Sequence, residues 1–434
     1  MNITKKVLNT TVIVAALGYF VDIYDLQLFN IIGKASLGPQ GLNLPTPEAI
    51  NHYYDYVLFN WQMAGMLVGG LLWGIWGDKR GRKSILFGSI LLYSIANIAN
   101  GFVTNITQYE IVRFIAGLGL AGELGAAITL VSETMDKETR GYGTMLIVTL
   151  GALGAVVAAL LAKTLLNVTI AGFAGWQIAY FIGGGLGLML LALRVGTFES
   201  GMFEATKNDD SVEKGNFLLL FQEKERFVKY IACILMGLPV WYVIGILIKF
   251  SDKFALINAA TDWKLDKGYA IMFAYIGLSV GDLLSGLLSQ YFKSRRKVVM
   301  AYLGSTIVLM CLFLYLKELS ATAFYAFCFM LGAATGYWAL FVTIASEQFG
   351  TNIRSTVTTT VPNFVRGAVI PITLGYKAFD VAFSNSLTAA MLVGAICVGL
   401  AFVSIWILPE TFGKDLDYHE LNKAEKLIKE MGES

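Results

Sequence analysis

Long apolar runs alternate with short polar stretches along the whole chain, and the runs have the length that a helix needs to cross a bilayer. A spanning helix takes about 20 predominantly apolar residues. Twelve such runs lie near 10–33, 54–76, 84–104, 108–132, 142–166, 176–197, 228–250, 268–290, 297–316, 321–346, 356–379 and 386–408. The pattern predicts an all-α integral membrane protein. The first run follows Lys5 and Lys6, has no small-residue cleavage site and continues into polar positions, so it reads as a retained helix and not a signal peptide.

The polar positions between the runs repeat. Ser132-Glu133 is followed by Arg140, and Ser346-Glu347 is followed at the same distance by Arg354, an offset of 214 residues. Arg82-Lys83 and Arg296-Lys297 share that offset, and Phe198-Glu199-Ser200 and Pro409-Glu410-Thr411 are 211 apart. Internal repeats outrank local patterns in choosing a fold. The economical reading is two six-helix halves, 1–197 and 227–408, joined by a polar linker at 198–226 and followed by a tail at 409–434. Leu421, Ala424, Leu427, Ile428 and Met431 trace an apolar stripe that predicts a short helix lying on the membrane surface.

Composition agrees and removes other classes. Hydrophobic residues make up 56% of the 434 and charged ones 15%, against about 25% charged in a soluble domain. The net charge of +2 is uninformative, because the asymmetry lies between loops. Lys79, Arg80, Arg82 and Lys83 follow the second run, and Lys293, Arg295, Arg296 and Lys297 follow the eighth. The opposite loops carry only the scattered Lys34, Lys163, Lys253, Lys264, Lys267 and Lys317. Short basic loops stay cytoplasmic, which places both termini on that side. Cys233, Cys311, Cys328 and Cys397 fall inside apolar runs without CxxC spacing, so neither a metal site nor a disulfide framework is indicated. His52 and His419 are the only histidines, no phosphate-binding loop pattern occurs and no activated nucleophile shows itself, which argues against an enzyme; no cofactor and no nucleic-acid partner are expected.

The stretch Gly74–Lys83, GIWGDKRGRK, closely resembles the loop between helices 2 and 3 of the major facilitator superfamily. Glu133-x6-Arg140, Glu347-x6-Arg354 and Pro409-Glu410-Thr411-Phe412-Gly413 resemble helix-end motifs of its sugar and organic-ion transporters. The resemblance implies the twelve-helix fold of two bundles. It also implies that Gly74, Asp78, Arg82, Glu133, Arg140, Glu347, Arg354 and Glu410 gate the cytoplasmic ends, the alternative being static clamps. Asp78 is expected to cap the amino end of helix 11 near Ser355, because a helix N-terminus favours an anion.

Three further stretches are similar to the metabolite:proton symporters: Asp22-Ile-Tyr-Asp25-Leu-x-Leu-Phe29, the helix 4 segment Arg113 to Glu123, and Arg194-x4-Glu199-Ser200-x-x-Phe203. One copy departs from the pattern. After the eighth run the chain reads Gly286-Leu-Leu-Ser289-Gln290, with Gln where the first loop has Asp, and carries an extra residue before Arg295-Arg296.

An ionisable side chain inside a span costs about 2.5–3.5 kcal/mol on insertion scales and asks for a partner or a wet cavity. Asp22 and Asp25 share a face of helix 1. The resemblance to proton-coupled facilitators makes Asp25 the proton carrier with Arg113 as its partner; Asp22 and Glu123 complete the group. A free Asp has a pKa of about 3.9, so an Arg partner that leaves during the cycle is what would let it alternate. A fixed ion pair between helices 1 and 4 is the alternative. Asp282 and Arg366 fall near the midplane and read either as substrate contacts or as structural pairs, and the planar fork of Arg366 suits a carboxylate. Tyr19, Trp61, Gln62, Trp241, Tyr242, Tyr275, Tyr337 and Trp338 are candidates to line a cavity. Lys249 and Lys377, near outer helix ends, are expected to snorkel outward. Glycines at helical spacing, Gly65, Gly69, Gly70 and Gly74 on helix 2 and Gly117, Gly122 and Gly125 on helix 4, predict close helix packing.

These features point to a secondary transporter that moves a small charged or zwitterionic solute with protons, acting as a monomer in a plasma (inner) membrane. Parallel halves place the solute site between them at midplane. A uniporter, exchanger or exporter of organic ions or sugars, and a transporter-like sensor, are the competing classes.

Overall fold

The structure is a computed structural model and describes residues 10–136, 139–166, 168–194, 214–258, 263 and 265–420. Twelve helical spans run through it. The first six are α1 (Thr10–Leu37), α2 (Pro47–Arg80), α3 (Arg82–Asn100), α4 (Ile106–Thr134), α5 (Arg140–Leu165) and α6 (Gly175–Leu193). The second six are α7 (Lys224–Ile248), α8 (Lys267–Phe292), α9 (Arg295–Tyr315), α10 (Ala321–Gln348), α11 (Arg354–Gly367 and Val369–Phe383) and α12 (Ser386–Ile407). The expected linker motif at Phe198 and the tail stripe from Leu421 onward lie outside the described residues.

Ten of the twelve are long and apolar enough to cross a membrane by composition alone. The other two, α3 and α11, are carried by their neighbours. The first part of α11, Arg354–Gly367, reads RSTVTTTVPNFVRG and is almost wholly buried. The hydroxyls of Thr356, Thr358 and Thr360 bond within the protein and the segment faces protein on all sides, so its low hydropathy is not set against lipid.

Several spans are irregular where they face the other half. A π-helical turn, Tyr53–Val57, interrupts α2, and another, Val243–Ile248, ends α7, followed by a short helix, Ser251–Asn258. Between Ala334 and Trp338, α10 breaks. Such departures are tolerated at membrane depth where protein, not lipid, surrounds them.

The first six helices pack into one bundle, α1 on α5 and α4 on α2 and α3; in the second bundle α8 packs on α10 and α12 on α7, α9 and α11. The bundles are joined by α11 with α2 and α4, by α5 with α8 and α10, and by α4 with α10. Glycine makes the α2–α11 crossing close, since a Cβ on Gly74 would fall 2.9 Å from the Thr356 Cα.

Candidate functional site

At the end that carries the basic loop, charges from both bundles interlock. Arg82 Nη2 bonds Glu133 at 2.8 Å, and the same carboxylate accepts from Arg354 Nη1 of the other bundle at 3.2 Å. Reciprocally, Glu347 accepts from Arg140 of the other bundle at 3.0 Å and from Arg295 of its own at 3.0 Å. The repeated Glu and Arg therefore exchange partners between halves. Asp78 ties Arg82 at 3.2 Å and accepts from the N–H groups of Ser355 at 3.1 Å and Thr356 at 2.8 Å, so it caps the head of α11. In the second copy, the Gln290 side chain lies over Gly141 at the head of α5, the corresponding place without the carboxylate.

The sequence register misses by one residue here. Arg296 stands 214 residues after Arg82, yet Arg295 holds Glu347, while Arg296 donates to the carbonyls of Ile405 and Trp406. The residue inserted after α8 shifts the basic pair along the loop. Glu410, beyond α12, accepts from Ser294 Oγ and from the N–H groups of Arg295 and Arg296, so it caps α9. Its own bundle supplies every one of those bonds, unlike those of Glu133 and Glu347.

Deeper, the same exchange continues in neutral groups. Thr129 bonds Thr358 at 2.5 Å and Thr144 bonds Thr343 at 2.8 Å, while Ser132 and Ser346 face each other at 3.4 Å. Each pair follows the register of Glu133 and Glu347, so a pseudo-twofold axis runs up the middle of the molecule.

At midplane that axis reaches the buried charges. Arg366 on α11 meets Asp22 on α1 at 3.4 Å, Tyr19 at 3.5 Å and Asn363 at 3.4 Å. All three contacts are long for charge-assisted bonds, which run near 2.8 Å, and Arg366 Nε and Asp22 Oδ1 have no partner among the described residues. Beside them lies a small cavity of about 20 Å³, lined by Tyr19, Trp241, Tyr275 and Trp338 among apolar residues. The two indoles are 6.4 Å apart between ring centres. Gln27 bonds Tyr275 at 2.6 Å and Asn30 bonds Gln27 at 2.9 Å, extending a polar track along α1 that the sequence did not single out.

Several expected partners differ. Asp25 and Arg113 form no ion pair: Arg113 bonds Gln62 and lies 4.3 Å from the centre of the Phe29 ring, and neither oxygen of Asp25 has a hydrogen-bond partner. Asp25 instead points at α6, where a Cβ on Gly183 would strike its carboxylate. The small residue there makes room that the ion-pair expectation overlooked. Glu123 is held by Arg194 through both oxygens, one at 2.8 Å, with α1 passing over the pair at Gly18. An arginine closing the sixth run, with an acid inside the fourth, was the available signal.

Asp282 accepts the Ala339 N–H at 2.8 Å and so caps the second half of the broken α10. Trp61 is 44% exposed and packs on Phe114, outside the cavity. Tyr242 donates to the Ala390 carbonyl at 2.7 Å and Tyr337 to that of Met236 at 3.0 Å, so both are packing residues here. Lys377 is exposed, as expected, but Lys249 is buried, with Nζ 2.6 Å from the Asp55 carbonyl oxygen.

The sequence profile described as Major Facilitator Superfamily matches residues 15–372. The chain belongs to the major facilitator superfamily. Among superfamily relatives, a Bacillus subtilis (strain 168) protein, NiaP, named as a candidate niacin/nicotinamide transporter, is 28% identical over 402 residues, covering 89% of this chain and 93% of its own. The cis,cis-muconate transport protein of Acinetobacter baylyi (strain ATCC 33305 / BD413 / ADP1) is 25% identical over 424 residues, 93% and 94% of the two chains. The superfamily proton:xylose symporter XylE, solved bound to 6-bromo-6-deoxy-D-glucose, superposes with a TM-score of 0.78 at 15% identity, covering 96% and 98%; at that identity the likeness speaks for the fold. As a superfamily member the protein is a multi-pass membrane transporter of a small solute and not an enzyme.

Proposed function

We propose that the protein is a proton-coupled symporter of small, flat organic carboxylates, working by alternating access as a monomer in an inner membrane with both termini cytoplasmic. The observation that carries this reading is Arg366: buried, joined to Asp22 of the other bundle only at 3.4 Å, and next to a cavity walled by Trp241 and Trp338. A guanidinium held only by long contacts, to Asp22, Tyr19 and Asn363, exchanges them readily for a carboxylate, which engages such a fork in two parallel bonds. The indoles suit an unsaturated or aromatic body. Niacin and cis,cis-muconate, the cargoes named for two relatives, both fit that description.

Proton coupling is assigned to Asp25, with Arg113 and Asp22 as the charges around it. An acid with no fixed partner loads and releases a proton without first breaking an ion pair, whose rupture in a low-dielectric interior is costly. Asp282 supports the site through the helix end it caps. In this reading the halves 1–197 and 227–408 move as two bodies about 198–226, and the interlocked charges at the basic end form the cytoplasmic gate. The tail from 409 begins at that gate.

Reconstitution into liposomes tests it. Labelled niacin and cis,cis-muconate should each be offered with and without an inward pH gradient; gradient-driven accumulation of at least one is expected. Exchange without accumulation would leave a uniporter or exchanger, and transport of neither would remove the carboxylate reading.

A further inference from the structure

Lys249 is a buried charge that the proposed transport cycle leaves unused. It follows the π-helical turn of α7, is 3% exposed, and its N–H donates to the Ile244 carbonyl at 3.1 Å, the five-residue bond that widens the helix. Its Nζ lies 2.6 Å from the carbonyl oxygen of Asp55 and 4.0 Å from the centre of the Phe59 ring. Asp55 sits in the other π-helical turn, that of α2. One ammonium thus joins two widened turns, one in each bundle, at the end remote from the basic loop. Such turns are rare and concentrate at functional sites.

The nearest countercharge is the carboxylate of Asp55, which attracts the ammonium without closing to an ion pair. Among the described residues no carboxylate forms an ion pair with Lys249. Asp252 is shared by Lys34 at 3.7 Å and Lys267 at 3.8 Å, Asp380 accepts from Ser386 at 2.7 Å, and Oδ1 of Asp55 itself has no partner. A single carbonyl and an aromatic face are modest compensation for a buried ammonium.

Alternating access forces that compensation apart. When the bundles separate at this end, α2 withdraws and takes both the Asp55 carbonyl and the Phe59 ring with it. Lys249 then stands on α7 at the mouth of the opening cleft, beside the Phe250 ring, whose centre is 5.7 Å from Nζ. Three residues beyond Phe59 on α2 lies Gln62, the partner of Arg113, a rise of about 4.5 Å along the helix. Arg113 is therefore held about one helical turn further in along α2.

We propose that Lys249 is a second binding residue for the solute's carboxylate, available only while the end remote from the basic loop is open. It receives the anion there, and on closure the Asp55 carbonyl reclaims the ammonium and frees the solute to move inward toward Arg366. The proposal rests on the protein being an organic-anion transporter.

The experiment compares the two faces of one reconstituted protein, in liposomes of known orientation, with labelled niacin and cis,cis-muconate as probes. Lys249→Gln should raise the half-saturating concentration at the remote face tenfold or more and leave that at the basic-loop face within twofold. Lys249→Arg, which keeps the charge, should stay within threefold of the parent at both faces and shows that the position tolerates substitution. If Lys249→Gln matches the parent at both faces, or shifts both equally, the residue is structural and this inference fails while the carboxylate reading stands. A parent that moves neither probe overturns both.

Discussion

Asp78, in the last turn of α2, takes the Thr356 N–H at 2.8 Å and its hydroxyl at 2.7 Å, so a carboxylate of one bundle caps a helix of the other. This bond, the exchanged pairs of Glu133 and Glu347 and the threonine seam behind them all cross the same plane. They must all part if that end is to open. Closure at the basic end is therefore a summed interaction and not one latch.

Asp78→Asn keeps the shape but removes the charge that the α11 N-terminus favours, an interaction of about 0.3–1 kcal/mol in the open and up to about 2 kcal/mol when buried. The variant should populate the state open at the basic end several-fold more than the parent. Labelling of single cysteines placed on each face, in otherwise cysteine-free protein, reads this out; unchanged labelling at both faces refutes it.

Arg366→Ala leaves a bound carboxylate without its buried partner, a loss of about 2–5 kcal/mol, or about thirtyfold and more in affinity. Arg366→Lys keeps charge but not the fork and should fall between. Asp22→Asn removes the acid that competes for the same guanidinium, so it should bind niacin or cis,cis-muconate more tightly than the parent. Calorimetry on the purified protein measures all three. Binding by Arg366→Ala at parental strength would mean that the solute is held elsewhere.

Asp25→Asn imitates a carboxyl that never releases its proton. It should still exchange solute across the liposome membrane but should not accumulate it against a gradient. Gly183→Ala is the independent check, because a methyl there strikes the carboxylate directly. It should impair accumulation more than exchange. Concentrative uptake by Asp25→Asn equal to the parent's would move coupling to another acid.

Arg194→Met leaves Glu123 buried beneath Gly18 without its cation, and breaking one side of a buried pair costs about 3–5 kcal/mol. A melting temperature lower by several degrees in detergent is expected. The double variant with Glu123→Gln should recover part of the loss, since no unpaired charge remains. A double variant no more stable than Arg194→Met would show that the ion pair is not what the site needs.

Glu410 lies outside the spans, where pH acts on it directly. Burial pushes its carboxyl up, but hydrogen bonds from Ser294 and from the N–H groups of Arg295, Phe412 and Arg296 outweigh that and hold it below the ordinary glutamate value. A depressed folded-state pKa contributes stability that is fully present above the unfolded value, about 4.3, and is lost as pH falls through the folded one. Melting profiles should show the parent losing more stability than Glu410→Gln on going from pH 6 to pH 3. Parallel profiles would exclude Glu410 as an acid-sensitive cap.

The spans, the two-fold repeat and the crowding of charge at one end were legible because each is a local or periodic property. Apolar length decides whether a helix crosses a bilayer, and a fixed offset between Glu133 and Glu347 survives any packing. Asp78 was placed at the head of α11 from sequence, but the partners of the midplane charges were not legible, since a charge in sequence carries no direction. Arg113 was matched to Asp25 through the resemblance to proton-coupled facilitators; in the structure Asp25 turns toward the space at Gly183, and Phe29 and Gln62 take Arg113. Lys249 was assigned to the surface by its position near a helix end, and a π-helical turn carried it inside. The sequence by itself determined the spans, their repeat and most of the charges that lie within them. Only the tertiary structure decided which of them meet, because that depends on helix rotation and on where a missing side chain leaves space.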